Sequence, residues 1–488
     1  MASLEELRAE RIKKLEALKR LGINPYPIES NSSYQIVTVI AKFESLTKTA
    51  QTINLTGRVR AIRSQGALIF FNFDDGTATF QALLKKDNVA GEDFEHFQNL
   101  VDIGDFVQVS GVLFLTKKKE KTIQVKNWKI LAKSLRPLPD QWGGLQDVEE
   151  RFRRRYLDSL MSPEIKARFI FRSKLITATR IFLNKAKFLE VETPVFQPQA
   201  GGATARPFQT HHDALGIKMF LRISEELYLK RMLVGGFPRV YSLSRNFRNE
   251  GIDATHNPEF TMLEFYEAYS SARMQRDFVE KMLKTLVKQL TGGTTIHFNG
   301  QVIDFGGKFK VVTYLDLLKR QALISDPENI KREDLLLKAD QLAAKVEPND
   351  GQEKLLDAIY KKVCRPKLIQ PTFIVGYPKN YLPLAKRRED DSGLVDAFQL
   401  IIGGIEIVKA FSELNDPLDQ AERFATQDEQ GTAGDDEAQK TDPDFIEALE
   451  YGMPPAGGVG IGIDRLTMLL TDTPNIREVI YFPTMRPR

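Results

Sequence analysis

Two short stretches hold the residues best suited to chemistry. The first runs Phe247-Arg248-Asn249-Glu250 and continues through His256-Asn257-Pro258-Glu259-Phe260. The second is GVGIGIDR, from Gly458 to Arg465. Arginine forks match phosphate oxygens bidentately. A phenylalanine face stacks on a purine, and glycines let the backbone approach a ligand closely. These residue types suit a site that grips a nucleotide. No GxxxxGK[ST] occurs, which excludes a P-loop NTPase. No Ser-His-Asp or Cys-His constellation stands out.

The chain that must position them has 488 residues, enough for two or three domains with their own cores. Its net charge of +4 is compatible with a nucleic-acid partner and equally with a generic solvated surface. The only cysteine is Cys364, which excludes an intramolecular disulfide and a thiolate zinc site. The charged N-terminus lacks an apolar signal core. No stretch approaches the roughly 20 apolar residues of a membrane helix. The expectation is a soluble, cytoplasmic protein with no membrane partner.

Residues 1–50 read as a helical segment. Leu4, Leu7, Ile12, Leu15, Leu18 and Leu21 fall at mostly helical spacing over 3–21, and Gly22 and Pro25 end the pattern. Its basic face serves either RNA or plain surface packing. From about 51 to 135 the pattern becomes strands, with Asp75-Gly76 as a hairpin turn and a helical piece, GEDFEHFQNLV, between the third and fourth strands. That order predicts an OB-type β-barrel. Of Phe70, Phe71 and Phe73, two belong in the barrel core and one faces outward. Lys117, Lys118, Lys119 and Lys121 read as a solvated hairpin or a phosphate contact.

A Pro- and Gly-rich linker follows, LRPLPDQWGG over 135–144, within a boundary at 136–150. Residues 151–488 then form one α+β domain with a central antiparallel sheet flanked by helices. Helices are expected at 164–187 and 272–291. Strands are expected at TPVFQ, 217–223, 239–248 and 258–268, the last three in one antiparallel sheet. A helical insertion covers about 324–368, and 425–441 is a polar loop or helix.

Several phrases in order resemble the class II aminoacyl-tRNA synthetases, and among them the lysyl-tRNA synthetases. Motif 1 looks like FLEVETP, from Phe188 to Pro194. Motif 2 is FRNEG…HNPEF, and motif 3 is GVGIGIDR. The lysyl-type phrases are GGATARPFQTHH (201–212), ELYLKR (226–231), VGGFPRVYSLSRNFRNEG (234–251) and FSELNDPLDQAERF (411–424). The resemblance covers nearly the whole chain.

It implies two steps. Lysine attacks the α-phosphate of ATP to give lysyl-adenylate and pyrophosphate, and the lysyl group then passes to the 3′-terminal adenosine of tRNA(Lys). By motif, Arg248 holds the α-phosphate and stabilises the transition state. Arg465 holds the γ-phosphate and covers the adenine, and Phe260 stacks beneath it. Glu250 accepts from the adenine amino group, His256 reaches the outer phosphates, and Gly460 and Gly462 allow close packing to ATP. Glu226 and Glu413 take the substrate's terminal ammonium, since a buried ammonium is costly unless paired. Tyr266 supplies a hydroxyl beside them, Glu264 takes the α-amino group, Gly202 borders the substrate, and Phe411 walls its stem. For Glu226 the plain alternative is a helix-surface salt bridge to Lys230 at i+4. Magnesium, accompanying ATP, is expected on Glu406 and Glu413. In the barrel, Phe70 stacks an anticodon base, Gln81 reads its edge and Arg63 contacts base or phosphate. The apolar residues of motif 1 (Phe188, Leu189, Val191, Val195) imply a homodimer.

The chain departs from the family pattern at four places. Gln399 stands where the family usually has a magnesium-binding Glu, and Lys409 where it has Asn. Either Lys409 replaces one bound cation near the phosphates or it points away from the site. Leu382 stands where Ser is frequent, and Glu225 where Pro is frequent. These departures leave open a synthetase-like paralogue that binds RNA or adenylate without charging tRNA. An aspartate or asparagine synthetase shares the architecture, but an aspartate pocket needs a cation where Glu226 and Glu413 sit.

Overall fold

The computed structural model describes residues 3–139, 145–347, 350–432 and 440–487. Parts of the expected linker at 135–144 and of the polar stretch at 425–441 lie outside the described residues. The chain forms two compact units, Met1–Gln146 and Asp147–Arg488.

The first unit is a closed five-stranded barrel. Its strands are Ile53–Gln65, Leu68–Asp74, Thr79–Lys85, Phe106–Leu115 and Lys121–Ala132, and the helix Gly91–Leu100 falls between the third and fourth. Alternation sorts each strand into an inner and an outer face. Phe71 and Phe73 are buried while Phe70 is half-exposed, so two rings of the three enter the core. The N-terminal helix runs Leu4–Arg20 under a Ser3/Glu6 capping box. Only Leu18 of its apolar stripe is fully buried, and it joins the barrel core with Ile36, Val39 and Phe43. Residues 1–50 therefore share the barrel's core. Lys117, Lys118 and Lys119 are exposed, whereas Lys121 donates to the Ile40 carbonyl and packs over Phe43.

The second unit is built on an eight-stranded sheet. In order across it run Lys310–Thr313, Thr372–Pro378, Leu394–Ile402, Ile405–Ser412, Ala456–Gly462, Glu259–Ala268, Arg239–Phe247 and Leu189–Glu190. All neighbours pair antiparallel except the two edge pairs, which are parallel. Leu263, Phe265, Val459 and Ile461 point to a core shared with the helices Pro163–Lys185 and Ala272–Thr291. The other face carries Phe260, Met262, Glu264 and Tyr266, the alternate residues of the same strand.

One expectation needs correction. Strand Ile217–Leu221 is not in the large sheet but pairs with Gln209–His212 and Phe196–Gln197 in a separate three-stranded sheet. The turn before Ile217, with Gly216 at φ +63°, closes a local hairpin with Gln209–His212. The TPVFQ strand shrinks to Phe196–Gln197. The insertion region holds helices Arg332–Gln341 and Gln352–Ile359, whose Leu335, Leu355 and Ile359 are fully buried in the unit's core.

Candidate active site

The open face of the sheet floors a cavity whose lining includes Gly202, Glu226, Arg248, Glu250, His256, Phe260, Glu264, Tyr266, Glu406, Lys409, Phe411, Gly460, Gly462 and Arg465. Hydrogen-bond register explains the convergence. Directly opposed residues of adjacent strands share a face. One row runs Gln399, Lys409, Gly460, Glu264 and Ser242; the next runs Ala397, Phe411, Gly458, Tyr266 and Val240. The register of Ile405–Ser412 against its neighbour shifts between Leu400 and Ile401. That bulge opposes extra chain on the 405–412 side, and Glu406 and Lys409 line the same cavity.

At one end sit the arginines. Arg248 packs its guanidinium over the Phe260 ring, 5.0 Å from the centroid. Arg465 is held from three sides. Its Nη1 lies 3.2 Å from the Glu406 carbonyl and 3.9 Å from the Glu406 carboxylate, and its Nη2 lies 2.9 Å from His256 Nε2. His256 Nδ1 in turn meets Asp253 at 2.8 Å. A neutral ring with its proton on Nδ1 satisfies both contacts, donating to Asp253 and accepting from Arg465. Burial opposes ionisation of Asp253, but hydrogen bonds from Thr255 and His256 hold it below the usual carboxylate range. Burial pushes the Arg465 pKa down, with Glu406 opposing. Glu250 is exposed at the cavity rim. The buried Asp464 accepts from the Thr261 amide at 2.6 Å and pairs with Arg172 at 2.5 Å, which locks the motif 3 helix to the motif 2 strand.

At the other end sit carboxylates. Glu225, Glu226, Glu264 and Glu413 are 0%, 7%, 2% and 1% exposed. Glu225 takes hydrogen bonds from Ser244 and from Asn246 Nδ2 at 2.7 Å. Glu264 takes them from Ser224 Oγ at 2.8 Å and Tyr266 Oη at 3.2 Å. Burial, with Glu225 and Glu226 close by, pushes Glu264 well above the usual range. Lys230, fully buried, donates to Glu226 Oε1 at 2.6 Å and pairs with Glu413. Phe411 and Phe445 flank its ammonium at 5.5 and 5.8 Å. The i,i+4 bridge is therefore formed, and Glu226 lines the cavity as well. Glu413 Oε1 is buried with no partner among the described residues. Burial pushes Glu413 up to about 8, against the pull of Lys230.

Two glycines are required sterically. Gly202 has φ +86°, and a Cβ there would lie 3.1 Å from Glu226 Cβ. A Cβ at Gly458 would lie 2.0 Å from Glu413 Oε1 and 2.4 Å from Tyr266 Cε1. Gly458 is thus more constrained than Gly460, which clashes only with the flexible end of Met262, or Gly462, which meets only Arg465.

The two carboxylates expected at a metal, Glu406 and Glu413, have different partners in the structure. Glu413 is committed to Lys230 at the carboxylate end, while Glu406 stands by Arg465. Among the described residues no group of three His, Cys, Asp or Glu could hold a metal ion. Gln399 accepts a 2.9 Å hydrogen bond from Tyr377 Oη. Lys409 lines the cavity and forms no ion pair within 4 Å among the described residues. Burial lowers its pKa, with Glu406 opposing and Arg248 adding to the lowering. Leu382 is buried and walls the cavity beside Pro383 and Leu384. Lys230 as partner of Glu413, Ser224, Asp253 and the steric constraint at Gly458 escaped the sequence reading; for Lys230 the only signal was its spacing from Glu226.

In the barrel unit Arg63 and Phe70 are direct cross-strand partners, and Gln81 opposes Asn72, two residues from Phe70 on the same face. All three lie on the outer surface, with Arg63 exposed and Gln81 joined to Thr122 Oγ1 at 3.0 Å.

Of the motif 1 residues, Phe188 is buried in one core cluster of the unit and Val191 packs against another, while Leu189 and Val195 are exposed. Among the described residues no helix is long and apolar enough to cross a membrane.

Comparison with known proteins agrees with this arrangement. Residues 147–486 match the family described as tRNA synthetases class II (D, K and N), and residues 53–131 match the OB-fold nucleic acid binding domain. The chain is 46% identical over 486 residues to a lysine–tRNA ligase of Roseiflexus sp. (strain RS-1), covering 99% of both chains. It is 45% identical to that of Moorella thermoacetica, covering 99% of this chain and 98% of the relative. It is 47% identical to that of Aquifex aeolicus over 89% of this chain and 73% of the relative.

Proposed function

The chain belongs to the class II tRNA synthetases, among the lysine–tRNA ligases, and on that premise we propose how its cavity activates L-lysine with ATP and charges tRNA(Lys). The observation that carries the assignment of substrate is the buried surplus of carboxylates. Glu226 and Glu413 share one buried cation, Lys230, while the buried Glu225 and Glu264 are held by neutral donors, Ser244 and Asn246 for the first and Ser224 and Tyr266 for the second. Buried charge left unpaired is costly, so the site favours a ligand that brings cations. Lysine brings two. Its ε-ammonium goes to Glu413 Oε1, with Glu226 and Tyr266 nearby, and its α-ammonium goes to Glu264. Aspartate or asparagine would leave this end unneutralised.

So seated, the lysine carboxylate oxygen attacks the α-phosphorus. The bond from that phosphorus to the bridging oxygen breaks, and pyrophosphate leaves with the electron pair. Arg248 and Arg465 hold the phosphates, and Phe260 and Glu250 receive the adenine. The 3′-terminal adenosine hydroxyl of the tRNA then attacks the lysyl carbonyl carbon of the adenylate, the bond from that carbon to the phosphate oxygen breaks, and AMP leaves with the electron pair as the hydroxyl gives up its proton. Glu406 fits a magnesium site, because it lines the cavity with its nearest cation 3.9 Å away. One or two carboxylates plus substrate phosphates make an ordinary magnesium site. There the ion would neutralise phosphate charge.

The barrel presents Arg63, Phe70 and Gln81 to the anticodon. The exposed Leu189 and Val195, with Phe196 beside them, support a homodimer. The cytoplasm, where ATP and tRNA are available, is the proposed location. Pyrophosphate exchange measured with lysine, aspartate and asparagine tests the substrate assignment. Stimulation by lysine alone is expected, and stimulation by aspartate would sink it. A monomer in light scattering at micromolar concentration would remove the dimer.

A further inference from the structure

One partly buried cation of the cavity, Lys409, has no part in the activation chemistry so far described. Lys409 lies between the two ends of the cavity, on the strand that also carries Glu406. Across Gly460, which has no side chain, it faces Glu264 two strands away, a spacing of about 10 Å. On its other side the opposed residue is Gln399, a neutral amide whose oxygen is already held by Tyr377. Among the described residues no carboxylate pairs with the Lys409 ammonium within 4 Å, although the residue is largely enclosed. A buried ammonium without an anion is costly, so its partner arrives with a ligand.

We propose that Lys409 is a built-in counterion of the ATP phosphates, and that with Gln399 beside it the site works with a single magnesium ion. This rests on the reading of the cavity as an ATP site. With Arg248 and Arg465, Lys409 supplies a third fixed positive charge where the substrate carboxylate meets the α-phosphate. Additional ions lack carboxylates beside Glu406: the strand opposite it presents Ile401 and Gln399 rather than an acid, and Glu413 stands with Lys230 at the lysine end.

The test is calorimetric titration of a non-hydrolysable ATP analogue into the full chain, in EDTA and at graded magnesium. Bound Mn2+ per site is counted in parallel by electron paramagnetic resonance. The unaltered chain should bind the analogue without metal, and one Mn2+ should accompany it. Lys409→Gln should weaken metal-free binding at least about tenfold, the worth of one charge-assisted hydrogen bond, and leave adenosine and lysine binding unchanged. Lys409→Arg, which keeps the charge, should retain metal-free binding. Joint replacement by Gln399→Glu and Lys409→Asn should add a second Mn2+ and make analogue binding strictly metal-dependent.

Two or more Mn2+ in the unaltered chain would overturn the proposal, a result that needs no variant to fold. So would Lys409→Gln binding the analogue normally in EDTA, or losing lysine affinity instead, which would assign Lys409 to the amino-acid carboxylate. Absence of lysine-stimulated exchange would sink the functional reading, while the analogue titration would still decide the role of Lys409.

Discussion

Lys230 Nζ stands 2.6 Å from Glu226 Oε1, one turn along the same helix. At sequence level that spacing marks a surface salt bridge, worth a few tenths of a kcal/mol. Here both groups are buried, and the same ammonium also holds Glu413 from a distant strand. One cation thus fixes two carboxylates of the lysine end. Replacing it by an apolar side chain, Lys230→Met, strands both. Unfolding in denaturant should show a loss of about 3–5 kcal/mol, the cost of breaking a buried pair. A loss below 1 kcal/mol would mean that Lys230 does not neutralise this cluster.

Two carboxylates sharing one ammonium leave Glu413 short of positive charge. Burial pushes it up to about 8, so near neutral pH the empty site holds a proton there. An arriving ammonium favours the ionised form and expels that proton. Lysine affinity should rise with pH toward about 8, and calorimetry in buffers of different ionisation heat should show proton release on binding. The stability of the empty protein should move the other way. Above the ordinary carboxylate value of 4.5 the unfolded chain has released this proton and the folded chain keeps it, so this group lowers stability as pH rises up to about 8. Glu413→Gln should abolish the proton release and raise the lysine KM. A wild-type KM would remove Glu413 from the pocket.

Gly458 and Gly460 look interchangeable in GVGIGIDR, yet the structure separates them. Gly458→Ala drives a methyl into Glu413 Oε1 and Tyr266. Overpacking of that kind costs about 1–3 kcal/mol, and the displaced carboxylate should also raise the lysine KM. Gly460→Ala clashes only with the end of Met262, which can turn aside, and touches the Lys409 carbonyl at an ordinary 3.7 Å. Melting curves and exchange kinetics on the two variants should differ, with Gly458→Ala the worse in both. Equal effects would contradict the geometry.

The phosphate end was legible because its groups lie within two compact motifs on adjacent strands. Arg248, His256 and Phe260 bracket one hairpin, and Arg465 starts the helix that follows its neighbour. The lysine end was legible only as a pair of glutamates. Lys230 joins them through a contact between a helix and a strand far apart in the chain, and spacing rules do not reach across that separation. The joint placement of Glu406 and Lys409 also depends on the register shift beside them, which no alternation pattern announces. The barrel could be read from strand order and one interrupting helix. The misplaced 217–221 strand failed because its alternation is compatible with either sheet, and the local turn decided the outcome.

The barrel offers a prediction that separates its surface from its core. Phe70 is half-exposed on the outer face, whereas its neighbour Phe71 is 1% exposed within the core. Arg63 is the direct cross-strand partner of Phe70, and Gln81 lies across the next strand on the same face. Stacking a base on one aromatic contributes about 1–3 kcal/mol. Phe70→Ala should therefore weaken tRNA(Lys) binding about 5- to 150-fold by filter assay. It should leave the melting temperature and lysine-dependent pyrophosphate exchange unchanged, since exchange proceeds without tRNA. Phe71→Ala should do the opposite. Removing a packed core ring costs about 3–5 kcal/mol, with the surface residues untouched in sequence. If Phe70→Ala bound tRNA normally, the base would stack elsewhere, and the outer face bearing Arg63 and Gln81 would lose its assignment as the anticodon surface.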